Sequence, residues 1–156
     1  MKTKETAEYI SEWLKEYCNK AGLSGFVIGI SGGIDSALTS TLCALTGKRV
    51  ILISMPIRQT SAEFNRAKNH IADLTKRFSN VESLEIDLTS TFTQLEKDLP
   101  LNVREHHLAM ANSRARLRMT TLYQVATANK GIVVGTGNKV EDFGVGFYTK
   151  YGDGGV

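Results

Sequence analysis

Apolar positions along the chain alternate between helix-spaced sets and short unbroken runs. Ile10, Trp13, Leu14, Tyr17 and Cys18 recur at helical spacing, and Gly22 stands where that helix would stop. Phe26 to Ile30 is an apolar run read as a first strand. After a glycine-rich turn, Ser36 to Leu45 reads as a helix ending at Gly47, and Arg49 to Ser54 (RVILIS) as a second buried strand. Thr60 followed by Glu63 has the form of a capping box. It opens a helix whose apolar positions are Phe64, Ala67, Ile71, Leu74 and Phe78. Leu84, Ile86 and Leu88 alternate as a third strand would. A short helix is predicted over Phe92 to Leu99, stopped by Pro100. A longer one is predicted from about Glu105 to Ala128, with Leu108, Ala111, Ala115, Met119, Leu122 and Ala126 as its stripe. Ile132, Val133 and Val134 form a fourth strand.

Strands that read as continuous apolar runs, each followed by a helix, predict a doubly wound α/β fold. Its parallel sheet would be covered by helices on both faces. Ligands of such sheets sit beyond the carboxyl ends of the strands. Two polar turns fall there, Gly29 to Ser36 and Gly135-Thr136-Gly137-Asn138.

Composition narrows the class without naming a function. A length of 156 residues with 42% hydrophobic residues suits a single domain over residues 1–156. A formal charge of +3 does not by itself argue for nucleic acid, and no nucleic-acid partner is expected. Charges interrupt the apolar positions of the first helix, which therefore does not read as a secretory signal, and no apolar stretch is long enough to span a bilayer. Cys18 and Cys43 lie on the apolar sides of two helices, as buried thiols of a cytoplasmic protein would.

The chemistry concentrates in IGISGGIDSAL. The turn has neither the lysine of a Walker loop nor a dinucleotide GxGxxG. Its glycines let backbone approach an anion, and the following helix adds unpaired N–H donors and a favourable dipole. Ser31 and Ser36 add hydroxyls. Asp35 is out of place beside a phosphate unless Mg²⁺ lies between them. A helix cap would explain one polar residue here, but not Ser31, Gly32 and Gly33 together. Farther on, Arg114, Arg116 and Arg118 crowd one helix. With Ala115 at the centre of the buried stripe, Arg114 and Arg118 fall on one flank and Arg116 on the other. Such a face is ordinarily solvated, but beside a strand-end crevice it suits phosphate or carboxylate recognition. Met55-Pro56 reads equally as the wall of a base pocket or as a strand terminator. His106 and His107 read as surface or capping residues.

SGGIDS resembles the pyrophosphate-binding loop of the ATP pyrophosphatase superfamily, which holds NAD, GMP and asparagine synthetases and tRNA-thiolating enzymes. The stretch from Ala111 to Met119 is similar to the N-x-x-A-R-x-R-M helix of NAD synthetases. Gly135 to Glu141 and Phe147 to Gly155 resemble their G-T-x-N-x-x-E and F-x-T-K-Y-G-D-G-G signatures. On these motifs the chain is identified as a member of the ammonia-dependent NAD synthetases, from Ile28 onward.

The resemblance implies an ATP site at Gly29, Ile30, Ser31, Gly32, Gly33, Ile34, Asp35, Ser36 and Thr136. It implies deamido-NAD contacts at Arg116 and Lys150, and Mg²⁺ on Asp35 and Glu141. Between Glu141 and Lys150 the chain carries one residue more than the family pattern, so Asp142 competes with Glu141 for that place. The implied reaction adenylates the nicotinate carboxylate of deamido-NAD with ATP, releases pyrophosphate, and lets ammonia displace AMP. No side-chain nucleophile is needed. Family members are homodimers and continue beyond Gly-Asp-Gly-Gly, so the domain is expected to be incomplete at its C-terminal end and to turn over poorly by itself. The alternatives are another adenylating amidotransferase or thiolase of the superfamily, and a nucleotide-binding module without turnover. Pyrophosphate release stimulated by deamido-NAD separates them.

Overall fold

A computed structural model of the chain describes residues 2–146 and 148–152. Helix α1 (Thr3–Lys20) leads into β1 (Gly25–Gly29), α2 (Ile34–Leu45), β2 (Arg49–Ser54), α3 (Ser61–Arg77) and β3 (Val81–Glu85). Then follow α4 (Thr89–Asp98), the single turn α5 (Leu101–Arg104), α6 (His107–Ala128), β4 (Gly131–Val133) and a π-helical turn, Val140–Val145. The four strands are all parallel, in the order β3-β2-β1-β4.

Strand side chains alternate between two cores, as the pleat requires. Phe26, Ile28, Val50 and Leu52 face Leu14, Cys18, Cys43, Ala67 and Leu74 from α1, α2 and α3. Val27, Ile51, Ile53 and Val133 face Phe92, Met110, Leu122 and Ala126 from α4 and α6. Helices therefore cover both faces, and the doubly wound α/β reading holds. Burial pushes both thiols up, Cys43 to about 12, with the neighbouring Cys18 adding to the rise. Both are free cysteines and stay protonated.

Local chemistry explains the boundaries. Thr60 accepts from the Glu63 amide while the Glu63 carboxylate reaches back to the Thr60 N–H, and this capping box starts α3. RVILIS is β2 from end to end.

The third strand differs from expectation. It runs over Val81–Glu85, where Val81 is its one buried residue, and Leu84 is 44% exposed. Pairing with β2, Val50 opposite Val81 and Ser54 opposite Glu85, sets this edge strand, while Ile86 and Leu88 belong to its exit. The long helix ends at Ala128 as expected and starts at His107, after a break at Glu105–His106 that sets it off from the unexpected turn α5. Leu108, in the first turn after the break, is 60% exposed, and Met110 takes the buried place instead. Trp13 and Tyr17 likewise lie on the exposed side of α1. None of the helices among the described residues is long and apolar enough to cross a membrane.

Candidate functional site

In the order β3-β2-β1-β4, the chain changes direction across the sheet between β1 and β4, which opens a crevice at their carboxyl ends. A cavity of about 240 Å³ lies there. Gly29, Ile30 and Ser31 leave β1 along one wall, and Val134, Thr136 and Gly137 leave β4 along another. Met55 and Gln59 follow β2. Ala115, Arg118, Met119 and Leu122 of α6 close the cavity from the side, and Gly152 reaches it from the end of the described chain. Two sequence-distant turns thus meet because their strands are neighbours.

The glycine loop is held by a ring of three hydrogen bonds. The Gly33 N–H donates to Ser31 Oγ (3.1 Å), and Ser36 Oγ donates to the Gly33 carbonyl (3.1 Å). A carbonyl only accepts, so the Ser36 proton is committed there. Ser31 must then supply the proton of the 3.1 Å contact between the two hydroxyls. The serines expected to donate to a ligand instead fix the loop's shape in this state. Gly32 has φ +87°, and a Cβ on it would lie 2.6 Å from the Glu63 carbonyl oxygen, so only glycine fits. Ile34 points outward, 78% exposed, and Asp35 is half-buried in the first turn of α2.

Asp35 meets the second turn through Asn138, whose Nδ2 donates to Asp35 Oδ2 at 3.4 Å. Asn138 Oδ1 accepts the amides of Val140 and Glu141, which folds the turn back on itself. Gly137 has no Cβ because the Asp142 carboxylate packs where one would be. Glu141 is exposed. The carboxylates of Asp35 and Asp142 therefore both border the Gly137–Asn138 turn. Among the described residues no three His, Cys, Asp or Glu side chains gather into a metal cage. An all-oxygen pair suits Mg²⁺, which keeps several waters and takes further ligands from phosphate.

The three arginines separate as their spacing predicts. Arg118 is half-buried, and its Nε donates to the Met55 carbonyl at 3.0 Å. Burial and then the neighbouring Arg114 push its pKa below the ordinary value, while Glu63 opposes them. It remains a cation, desolvated at the cavity wall. Arg114 lies over the Phe92 ring. Arg116, on the other flank, donates from Nε to the Lys150 carbonyl and from Nη2 to Thr149 Oγ1, both at 3.0 Å. Arg116 and Lys150 are thus brought together, and the Lys150 ammonium sits over the Tyr151 ring. Asp153 of the final signature, like Phe147, lies outside the described residues.

The sequence left several contributors unassigned. Gln59 lines the cavity, Asn138 ties Asp35 down, and Arg66 donates to the Gly32 carbonyl at 3.2 Å. Met55 is both a strand end and a cavity wall, 5% exposed. Arg58 holds the Met55–Gln59 loop at φ +51° by donating to Thr93 and Glu96 of α4. A non-glycine residue in this conformation costs on the order of 1 kcal/mol, and the two bonds offset it.

The protein-family model described as NAD synthase matches residues 6–156. The chain belongs to the NAD synthase family. It is 39% identical to an NH3-dependent NAD(+) synthetase of Mesoplasma florum, across 100% of this chain and 62% of the relative. It is 40% identical to one of Methanosarcina acetivorans, across 94% and 57%. The chain therefore spans about 60% of the length of these curated relatives. Among solved structures, an NH3-dependent NAD synthetase of Campylobacter jejuni superposes with TM-score 0.87 at 32% identity, over 98% of this chain and 64% of that one. An NMN synthetase of Francisella tularensis superposes with TM-score 0.84 at 30% identity, over 100% and 63%.

Proposed function

We propose that this domain carries the ATP-cleaving centre of an ammonia-dependent NAD synthetase. The observation that supports the reading most is the meeting of Gly29–Ser31 and Thr136–Gly137 on one cavity beside a desolvated arginine, with Asn138 of the second turn bonded to Asp35 of the first. ATP would lie across the loop, with its base toward Met55 and its phosphates at the head of α2. A carboxylate is a poor acyl donor until its oxygen carries a good leaving group. The nicotinate carboxylate of deamido-NAD therefore attacks the α-phosphorus, and the bond to the β-phosphate oxygen breaks. Pyrophosphate leaves with its charge facing the amides of the loop and the α2 dipole.

Asp35 would hold Mg²⁺ with Glu141 or Asp142, the latter favoured by its place against Gly137. When bound, the ion would supply positive charge to the departing pyrophosphate. Arg116 and Lys150 would orient the deamido-NAD carboxylate outside α6. Ammonia then attacks the activated carbonyl and AMP departs, with no protein nucleophile required. Magnesium, ATP, deamido-NAD and ammonia are the ligands of this reading, and a homodimer its assembly.

The test is pyrophosphate release from Mg·ATP by the protein carrying these residues, with and without deamido-NAD and with the mononucleotide as a second acceptor. Release that requires deamido-NAD supports the reading. Release driven by neither, alongside tight ATP binding, would leave a nucleotide-binding module.

A further inference from the structure

The glycine loop also rests on α3. A second crevice, of about 230 Å³, is lined by Gly32, Gly33 and Ser36 from the loop and by Arg66 and His70 from α3. Arg66 Nε donates to the Gly32 carbonyl at 3.2 Å. The Gly32 backbone packs against the Glu63 carbonyl and the Ala67 amide, so the loop rides on the first two turns of α3. The other end of the loop is fixed too. Ser40 Oγ donates to the Ser36 carbonyl at 2.7 Å and meets His70 Nε2 at 2.8 Å.

The consequence concerns one peptide plane. In a trans peptide the carbonyl and the following N–H point in opposite directions. With the Gly32 carbonyl drawn to Arg66, the Gly33 N–H of the same unit is turned away from α3, where it meets Ser31 Oγ. Glycines on both sides of that peptide tolerate either sign of φ, so its orientation rests on two hydrogen bonds, the Gly33 N–H to Ser31 Oγ and the Gly32 carbonyl to Arg66. A turned plane would present a carbonyl oxygen where an anion needs a donor.

We infer that Arg66 is a positioning residue that fixes the Gly32–Gly33 peptide in its anion-accepting orientation, an inference that rests on the nucleotide reading given above. The role belongs to the Nε donor and not to the charge. Gln places its Nε2 the same number of bonds from Cα as Arg Nε and donates without charge, whereas Met has similar bulk and no donor.

The experiment compares wild type, Arg66→Met and Arg66→Gln for Mg·ATP dissociation, deamido-NAD dissociation and amide exchange at Gly33. Arg66→Met should weaken Mg·ATP roughly three- to tenfold and speed Gly33 exchange by a similar factor, with deamido-NAD unchanged. Arg66→Gln should bring both back to within about twofold of wild type on the same hydrogen-bond argument. A Met variant equal to wild type in both readouts overturns the proposal. So does a Gln variant as weak as Met, which would make Arg66 a direct charge contact. If Gly33 exchange responds to Arg66→Met in a protein that binds no Mg·ATP, the contact stands and the nucleotide reading falls.

Discussion

Ser36 has one hydroxyl hydrogen, and the Gly33 carbonyl takes it. Ser31 then spends its own on Ser36, so the donors left to a ligand at the head of α2 are backbone amides. An anion site made of amides next to a half-buried carboxylate is a contradiction unless a cation joins them, which gives Asp35 a sharp test. Asp35→Asn preserves size and can still bond Asn138, so stability should change little. Mg·ATP affinity should fall about tenfold or more, since removing one partner of a charge pair leaves the other uncompensated. Calorimetry at several Mg²⁺ concentrations reads this directly, and an unchanged metal dependence would remove Asp35 from the site. Arg116 makes a different claim. Its contacts run to residues 149 and 150, away from the glycine loop. Arg116→Ala should raise the deamido-NAD requirement about tenfold, the cost of a charged hydrogen bond, while ATP affinity stays near wild type. Equal losses for both substrates would contradict that division.

Between elements, the joint of α2 with α3 is polar: Ser40 on one, His70 on the other. Burial lowers the His70 pKa below its ordinary 6.5, against a raising effect from Asp73, and Arg77 adds to the lowering. A histidine whose folded pKa is depressed prefers to be neutral in the fold. The unfolded chain then binds more protons, so stability is fully present above the unfolded value and is lost as pH falls below about 6.5. Denaturant midpoints measured from pH 8 down to pH 5 should decline for wild type and decline less for His70→Gln. Parallel slopes would show that His70 does not carry the effect.

The elements flanking this joint were also the most legible in the sequence. RVILIS announces a central strand because both its faces are buried, and Thr60 with Glu63 announces a helix start because capping is local chemistry. The edge strand is poorly legible, since only Val81 carries a burial signal and its register is set by β2. The start of α6 was legible to within two residues, but the single turn α5 was not, because Leu101 to Arg104 is too short to show a helical period. His106 Nδ1 accepts the Ala109 amide and caps α6. In the site, the loop and the arginine flanks were readable from spacing. Arg66 was not, because its partner is a carbonyl 34 residues away that only the sheet order brings near.

At the scale of the whole molecule, the two edges of the sheet are built for opposite purposes. The amino edge is closed by its own hydrogen bonds. Asn80 Nδ2 donates to the carbonyls of Ala44 and Lys48, the Asn80 carbonyl accepts the Val50 amide, and the Ser24 amide donates to the Lys130 carbonyl. The crevice between Gly25, Arg49, Asn129 and Gly131 holds no water-sized space. The carboxyl edge instead keeps a cavity of about 240 Å³ with a desolvated arginine and a helix N-terminus beside it. Ligand energy should therefore be deposited at one edge only. Hydrogen exchange with and without Mg·ATP should show added protection at residues 30–37, 55–59 and 134–142. Residues 23–25, 47–49, 79–81 and 129–131 should exchange as before. Binding that orders three separate loops also stabilises the fold by mass action, so the unfolding midpoint should rise with nucleotide concentration. Protection that appeared at the amino edge, or at the glycine loop without the turn after β4, would mean that the two turns do not serve one ligand. The cavity between them would then have to be assigned to something other than a nucleotide.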